Sequence, residues 1–397
     1  MRMIEADTLL AVRASRVFDG EQRLGPSTVL IGGGKIVDVD TTWAAPPAGA
    51  QVLDLGPDVC LLPGLIDAHT HLCLDASADV VAAIGAVDDS TLLAQMTRAA
   101  HRVLQAGITT VRDLGDRAFL ALQLREQLDA SGDPGPEIVA SGPPITTRGG
   151  HCHFLGGVAE GPQQLRAAVY ERAERGCEVV KVMVSGGQLT AGSKPYESQY
   201  ELADLRLIVT EAHRLGMRTA AHVHGPRSVA HAVMAGFDSL EHVTFFTADG
   251  VAANPGTMAA IIGSGVVVSA TVGVAPGRGN LPPPIARRLA AIKEIAAALH
   301  RGGARIVPGT DAGVGPLKPH DVLPYGIAEL TELGMTNLEA LRAATSLAAD
   351  ACGLTSRKGR LIPGADADLL AVSGDPLADI HAIHDVTAVM RAGRWVR

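Results

Sequence analysis

The amino-acid sequence predicts an α/β protein in which a TIM (β/α)8 barrel carries a small β-sandwich domain formed by the N- and C-terminal segments. Three observations support this. Through the middle of the chain, eight short apolar runs of strand character alternate with helical, Ala/Leu/Arg-rich stretches, the pattern of parallel β/α folds. Both ends instead read as short β-rich runs between turns: LLAVRASRVFDG, STVLIGGGKIVDV and QVLDLG at one end, GRLIPGADADLLAVSGDPL and DVTAVMRAGRWVR at the other. No G-x-G-x-x-G follows the first strand of the middle region, so a doubly wound dinucleotide-binding sheet lacks its main support.

In chain order, residues 1–58 and 359–397 are expected to form the small β domain and residues 59–358 the barrel. The expected barrel strands are 65–71, 109–113, 137–141, 179–185, 218–224, 239–243, 266–272 and 305–311. Eight β/α units in roughly 250–300 residues suit a TIM barrel. Helices are expected over 91–107, 202–216 and 284–303, the first and last ending in or near glycine. A further helix over 337–353 and a turn at 359–364 lead back to the end domain.

Composition narrows the function. With 47% apolar and 19% charged residues among 397, disorder is excluded for most of the chain. A net charge of −8 lacks the basic face that a polyanion binder needs, so no nucleic-acid partner is expected. The five cysteines, Cys60, Cys73, Cys152, Cys177 and Cys352, are odd in number and form no C-x-x-C, which argues against a disulfide framework and a cysteine zinc site. Acids at Glu5 and Asp7 stand where a signal peptide would have its apolar core. A reducing, cytoplasmic setting is the expectation. Residues 250–277 carry no charged side chain, yet Asn254, Pro255, Gly256, Gly263 and Gly265 divide them into a short helix (257–262) and a buried strand (266–274), not a membrane span. The expected partner is a small-molecule substrate, and a homo-oligomer is left open.

The chemistry is expected where the histidines gather. Of fourteen, His101, His213, His231 and His300 fall in helical stretches and His381 and His384 in the tail. The other eight, His69, His71, His151, His153, His222, His224, His242 and His320, lie at strand ends. In a TIM barrel the loops at the C-terminal ends of the strands form the active face, so these imidazoles would converge, and their convergence implies metal. His69-Thr70-His71 has period 2, so both rings leave an extended strand on the same side. Asp311 closes the eighth strand after a glycine-containing approach and suits a ligand that also accepts a proton. Lys181 stands among Val179, Val180, Val182 and Val184, where burial would favour a neutral amine. Two readings follow for it: a Schiff-base lysine, or an amine that becomes a metal ligand after modification. His151 and His153, with Arg148, sit on the glycine-rich loop after the third strand, and His224 faces the same side as His222. These, with His320 and the loop residues Tyr196 and Tyr200, are candidate substrate contacts.

The run Pro63-Gly64-Leu65-Ile66-Asp67-Ala68-His69-Thr70-His71, then Lys181, His222, His242 and Asp311, then Pro363-Gly364-Ala365-Asp366-Ala367-Asp368-Leu369, resembles the amidohydrolase superfamily. Gly107 to Asp113 (GITTVRD), Gly149-Gly150-His151 and Ser239-Leu240-Glu241-His242 are similar to its imidazolonepropionase and Xaa-Pro dipeptidase-like branch. The resemblance covers essentially the whole chain. It implies a binuclear, usually zinc, centre: His69, His71 and Asp311 on one divalent ion, His222 and His242 on the other, and an N-carboxylated Lys181 bridging both. It further implies that Asp311 moves the proton during hydrolysis and that His151 contacts the substrate. The reaction so implied is hydrolysis of an amide-type C–N bond in a dipeptide or N-acyl amino acid. A cyclic amide, carbamate, urea, lactone or organophosphate would suit the same site, and Schiff-base lyase chemistry through Lys181 is the alternative of another class.

Overall fold

The computed structural model describes residues 9–396. The reading of residues 1–10 as lacking an export signal lies almost wholly outside the described residues.

The first end of the chain supplies β1 (Leu10–Ala14), β2 (Arg16–Phe18), β3 (Arg23–Leu24), β4 (Ser27–Gly32), β5 (Lys35–Asp40), β6 (Gln51–Asp54) and β7 (Val59–Pro63). The eight parallel strands follow: β8 (Leu65–Thr70), β9 (Ile108–Asp113), β10 (Glu137–Ala140), β11 (Val179–Met183), β12 (Arg218–Val223), β13 (Ser239–His242), β14 (Val267–Thr271) and β15 (Arg305–Gly309). The chain returns through β16 (Leu369–Ser373), β17 (Val386–Arg391) and β18 (Arg394–Trp395).

The two chain ends do pair. One sheet runs β5-β4-β1-β6, and the other, β18-β17-β16-β7-β2-β3, interleaves both ends of the chain. Val12, Val17, Val29, Leu61, Leu369 and Met390 bury between them. Strand β7 lies antiparallel to β16 and parallel to β2, so this sheet takes in Val59–Pro63, just past residue 58.

All eight parallel strands occur where the apolar runs lie, because strands covered on both faces read as near-continuous apolar segments. They form a three-stranded sheet, β10-β9-β8, and a five-stranded sheet, β11-β12-β13-β14-β15. Hydrogen bonds cross both gaps. At one, the Asp311 amide donates to the His69 carbonyl (2.8 Å) and the His71 amide to the Ala312 carbonyl (3.0 Å); at the other, the Ile145 amide donates to the Lys181 carbonyl (2.8 Å) and the Met183 amide to the Ile145 carbonyl (2.8 Å). Ile66, Val139, Val179, Ala220, Val267 and Val307 share a buried cluster with helix Ser346–Ala351. The alternate residues, such as Val180 and Val182, pack into the larger cluster that the surrounding helices share.

Two expected helices are broken. The stretch 284–303 forms Pro283–Ala286 and Leu289–Arg301, with Arg287 and Arg288 between them. The stretch 337–353 forms Asn337–Ala343 and Ser346–Ala351, because the Ala344 carbonyl turns away to accept the Ile66 amide (2.9 Å) and Thr345 leaves helical geometry. The uncharged stretch 250–277 resolves into helix Pro255–Ser264 and β14, and no helix among the described residues is long and apolar enough to cross a membrane.

Candidate metal centre

Strand β8 carries Asp67 at its third position, and the fold uses it as a clamp. Its buried carboxylate accepts from the Thr310 amide (3.0 Å), the Thr310 hydroxyl (2.5 Å) and the His69 amide (3.2 Å), tying β8 to the residue that follows β15. Gly309 permits that approach: a Cβ there would sit 2.6 Å from the Cβ of His69. The chain then turns at Asp311 in the left-handed region (φ 57°), as it does at His242 (φ 73°) at the end of β13. Both conformations are uncommon for residues with a Cβ, and such strain persists where surrounding structure enforces it.

These turns bring donor atoms together. The Nε2 atoms of His69 and His71 are 3.3 Å apart, and Oδ1 of Asp311 lies 3.4 Å and 3.3 Å from them. Ligand bonds of about 2.0–2.1 Å in tetrahedral array subtend edges of roughly 3.3–3.4 Å, so the triangle fits a zinc-sized ion. On the adjoining strands, Nε2 of His242 is 3.0 Å from Nδ1 of His222, and candidate ligand atoms of His222, His224 and His242 lie within 4.8 Å of one another. Nζ of Lys181 is 3.3 Å from Nε2 of His69, and the rings of His69 and His242 are 5.3 Å apart, so the two groups adjoin around the lysine.

The outward nitrogens are fixed. Nδ1 of His71 meets the Gly115 carbonyl (2.9 Å), Nε2 of His222 the Gly186 carbonyl (3.1 Å), Nδ1 of His242 the Thr271 hydroxyl (3.0 Å) and Nδ1 of His69 the Glu241 carboxylate (2.9 Å). An imidazole that donates outward keeps its lone pair inward, so His69, His71 and His242 present Nε2 and His222 presents Nδ1 to a metal. Burial reinforces this by holding His69 down to about 4 and driving His222 and His242 well below the ordinary imidazole value. His71 is the exception: burial opposes its charge, but Asp311 raises it. Burial also lowers the Lys181 amine against the pull of Glu241 and Asp311. Asp311 stays ionised, since His69 and His71 outweigh its burial and hold it far below the carboxylate range. Apart from His71, which Asp311 raises, the donor set is thus neutral imidazoles, an ionised carboxylate and an amine inclined to neutrality, which suits divalent metal.

The remaining candidates divide. His151 and His224 line the cavity above the donors, their rings each 4.6 Å from that of His222. Burial lowers them to about 3 and about 4. The His151 amide donates to Oε1 of Gln199 (2.5 Å), and Gly187 makes room for the ring, since a Cβ there would lie 2.2 Å from its Nε2. The other five do not line the cavity. His153 is exposed and its ring is held by the Gly150 carbonyl (2.9 Å). Arg148 is exposed, with its amide on Glu160. Tyr200 is buried and donates to the Ala159 carbonyl (2.9 Å), so it is a framework residue, and half-buried Tyr196 packs near Lys194. His320 is buried with Nε2 on the His71 carbonyl (3.1 Å), where it braces a ligand strand.

Three residues outside the expected set matter. Arg112 reaches from β9 to the Ala68 carbonyl (2.6 Å), Ser239 (3.0 Å) and Glu241 (3.0 Å), and Glu241 in turn orients His69. Gln199 sets His151. The signal for the first two was present, since a charge inside an apolar parallel strand is the feature that marked Lys181. The cavity they support holds about 920 Å3 and continues from the donors along apolar walls that include Leu281, Ile285, Ile292 and Leu317.

Comparison with known proteins agrees with the geometry. The sequence profile of the amidohydrolase family matches residues 60–396. The chain is 28% identical to ochratoxinase of Aspergillus niger over 375 residues, covering 84% of this chain and 75% of that protein. A solved structure described as a Xaa-Pro dipeptidase with methionine bound in the active site superposes with a TM-score of 0.88 at 27% identity, covering 98% of this chain and all of the other. The structure of A. niger ochratoxinase gives 0.86 at 25% identity, covering 98% and 96%. With this match across nearly its whole length, the chain belongs to the amidohydrolase family and is a hydrolase acting on C–N bonds.

Proposed function

We propose that this chain is a binuclear-metal amide hydrolase that releases an amino acid from a small N-acyl amino acid or dipeptide, and that its eight parallel strands close as a TIM (β/α)8 barrel. Lys181 carries the reading. It is wholly buried, 3.3 Å from Nε2 of His69, and its charge acts on His222 and His242 as well. The hydrogen bonds across both gaps between the parallel sheets support the barrel. Names of the relatives, a Xaa-Pro dipeptidase and an ochratoxinase, support an amide substrate, and family membership favours hydrolysis over a Schiff-base lyase.

His69, His71 and Asp311 would hold one ion, His222 and His242 the other, with Lys181, N-carboxylated by carbon dioxide, between them. When bound, two zinc-sized ions would supply Lewis acidity towards the amide carbonyl and lower the pKa of water towards roughly 7. The chain's own groups do the rest. Asp311, one fifth of its side chain open, accepts a proton from the attacking water and returns it to the departing nitrogen as the C–N bond breaks. The products are a carboxylic acid and an amine. His151 stands neutral where a hydrogen bond to the substrate carbonyl or carboxylate is within reach.

Elemental analysis of the protein and of Lys181→Ala tests this. About two equivalents of zinc or a similar ion are expected, falling to one or fewer in the variant, with activity on a panel of N-acyl amino acids and dipeptides lost on chelation and restored by zinc. One equivalent or less, unchanged by the substitution, would remove the bridge from the reading.

A further inference from the structure

Four lysine and arginine side chains line the cavity: Lys181, Arg278, Lys293 and Lys318. Lys181 belongs to the proposed centre. Lys293 is paired with Glu329 (3.2 Å) and Glu332 (2.8 Å), and Arg278 is exposed on the loop after β14. Lys318 differs from all of these. Its Nζ donates to the carbonyls of Thr271 (3.0 Å) and Val272 (3.2 Å), which fixes the ammonium at the end of β14, and among the described residues it has no carboxylate at ion-pair distance. An ammonium has three donors, so one remains for the cavity, and although Asp311, Glu329 and Asp67 act on its charge from a distance, none of them pairs with it directly.

Thr271 places that charge relative to the chemistry. Its hydroxyl meets Nδ1 of His242 while its carbonyl holds Lys318, so the ammonium is one residue removed from a proposed ligand, on the same wall. In an N-acyl amino acid the carboxylate carbon is three bonds from the carbonyl carbon under attack. The adjoining walls, Val272 and Leu317, are apolar, and low local polarity strengthens a charge-assisted hydrogen bond.

We propose that Lys318 anchors the α-carboxylate of the leaving amino acid and so makes the enzyme select a free carboxylate beside the scissile amide. This rests on the amide-hydrolase reading above. The test compares the best N-acyl amino acid of the panel with the same compound carrying a carboxamide in place of the carboxylate, following release of the acyl acid.

The wild type should favour the acid by about 10- to 100-fold in kcat/KM, the range of a hydrogen bond to a charged group. Lys318→Gln keeps donors for the carbonyls but removes the charge. It should collapse the acid-to-carboxamide preference to about one, chiefly through KM for the acid, and Lys318→Arg should restore part of it. Equal loss on both substrates would make Lys318 a framework pin and overturn the proposal, as would a preference that survives Lys318→Gln or disappears instead in Arg278→Gln. A wild type without preference overturns it with no variant needed. Failure of the wild type on every amide of the panel would instead sink the amide-hydrolase reading.

Discussion

At the scale of single residues, the groups behind the donors matter as much as the donors. Thr271→Val keeps the shape of the side chain but removes the partner of Nδ1 in His242. We expect about a 10- to 100-fold loss in affinity for the ion on that side, read by competition with a chelator, since partners of ligating histidines typically contribute that much. Gly187→Ala would drive a methyl into His151 and should lower kcat/KM with metal content unchanged, which elemental analysis beside kinetics would show. Much of this site was legible in the sequence. His69-Thr70-His71 declared itself by its period, and Lys181 and Asp311 by their positions in or after apolar strands. The fates of Tyr200, His153 and His320 were not legible, because each is decided by one backbone carbonyl that the folded chain brings within reach. Glu241 is an instructive miss: it looked like motif, and only its distance to His69 shows what it holds.

Elements were legible where local and tertiary preferences agree. All eight parallel strands stand where apolar runs do, because burial on both faces leaves a continuous signature. The helix expected over 337–353 broke because β8 takes one of its carbonyls, a tertiary demand with no local mark. Its first half is nevertheless well begun: Thr336 and Glu339 form a reciprocal capping box. Thr336→Ala should therefore cost about 1 kcal/mol, visible as a lower denaturant midpoint at unchanged slope.

Across the whole molecule, one buried charge cluster couples the end sheets to the parallel strands. Lys358, fully buried, meets Asp368 (2.7 Å), Asp366 (2.8 Å) and Glu137 (3.1 Å), the last on β10. Removing one partner of such a cluster strands the others without water, so Lys358→Met should cost about 3–5 kcal/mol at pH 7 by denaturant titration. The cluster also sets a pH response. Burial opposes the charge of Asp366, yet its hydrogen bonds from Lys35 and Lys358 hold its carboxyl below the ordinary value. A folded pKa lower than the unfolded one means that this stabilisation is complete above the ordinary carboxylate range and is lost as pH falls below it. Denaturant midpoints should drop between about pH 4 and pH 2 in the wild type, and less steeply in Lys358→Met.

The division of the parallel strands into three and five has a mechanical consequence. His69 and His71 belong to the smaller sheet, whereas Lys181, His222, His242 and Asp311 follow from strands of the larger one. Any ion held by this set is a rivet through both plates, and Asp311, which we propose to move the proton, is itself a stitch, through its amide, in the join it spans. Stripping the metal should then loosen the molecule along two lines and spare the interiors of the sheets. Amide exchange should quicken first at His71, Asp311, Ile145 and Met183, so that loss of the cofactor and loss of rigidity at the joins are one event.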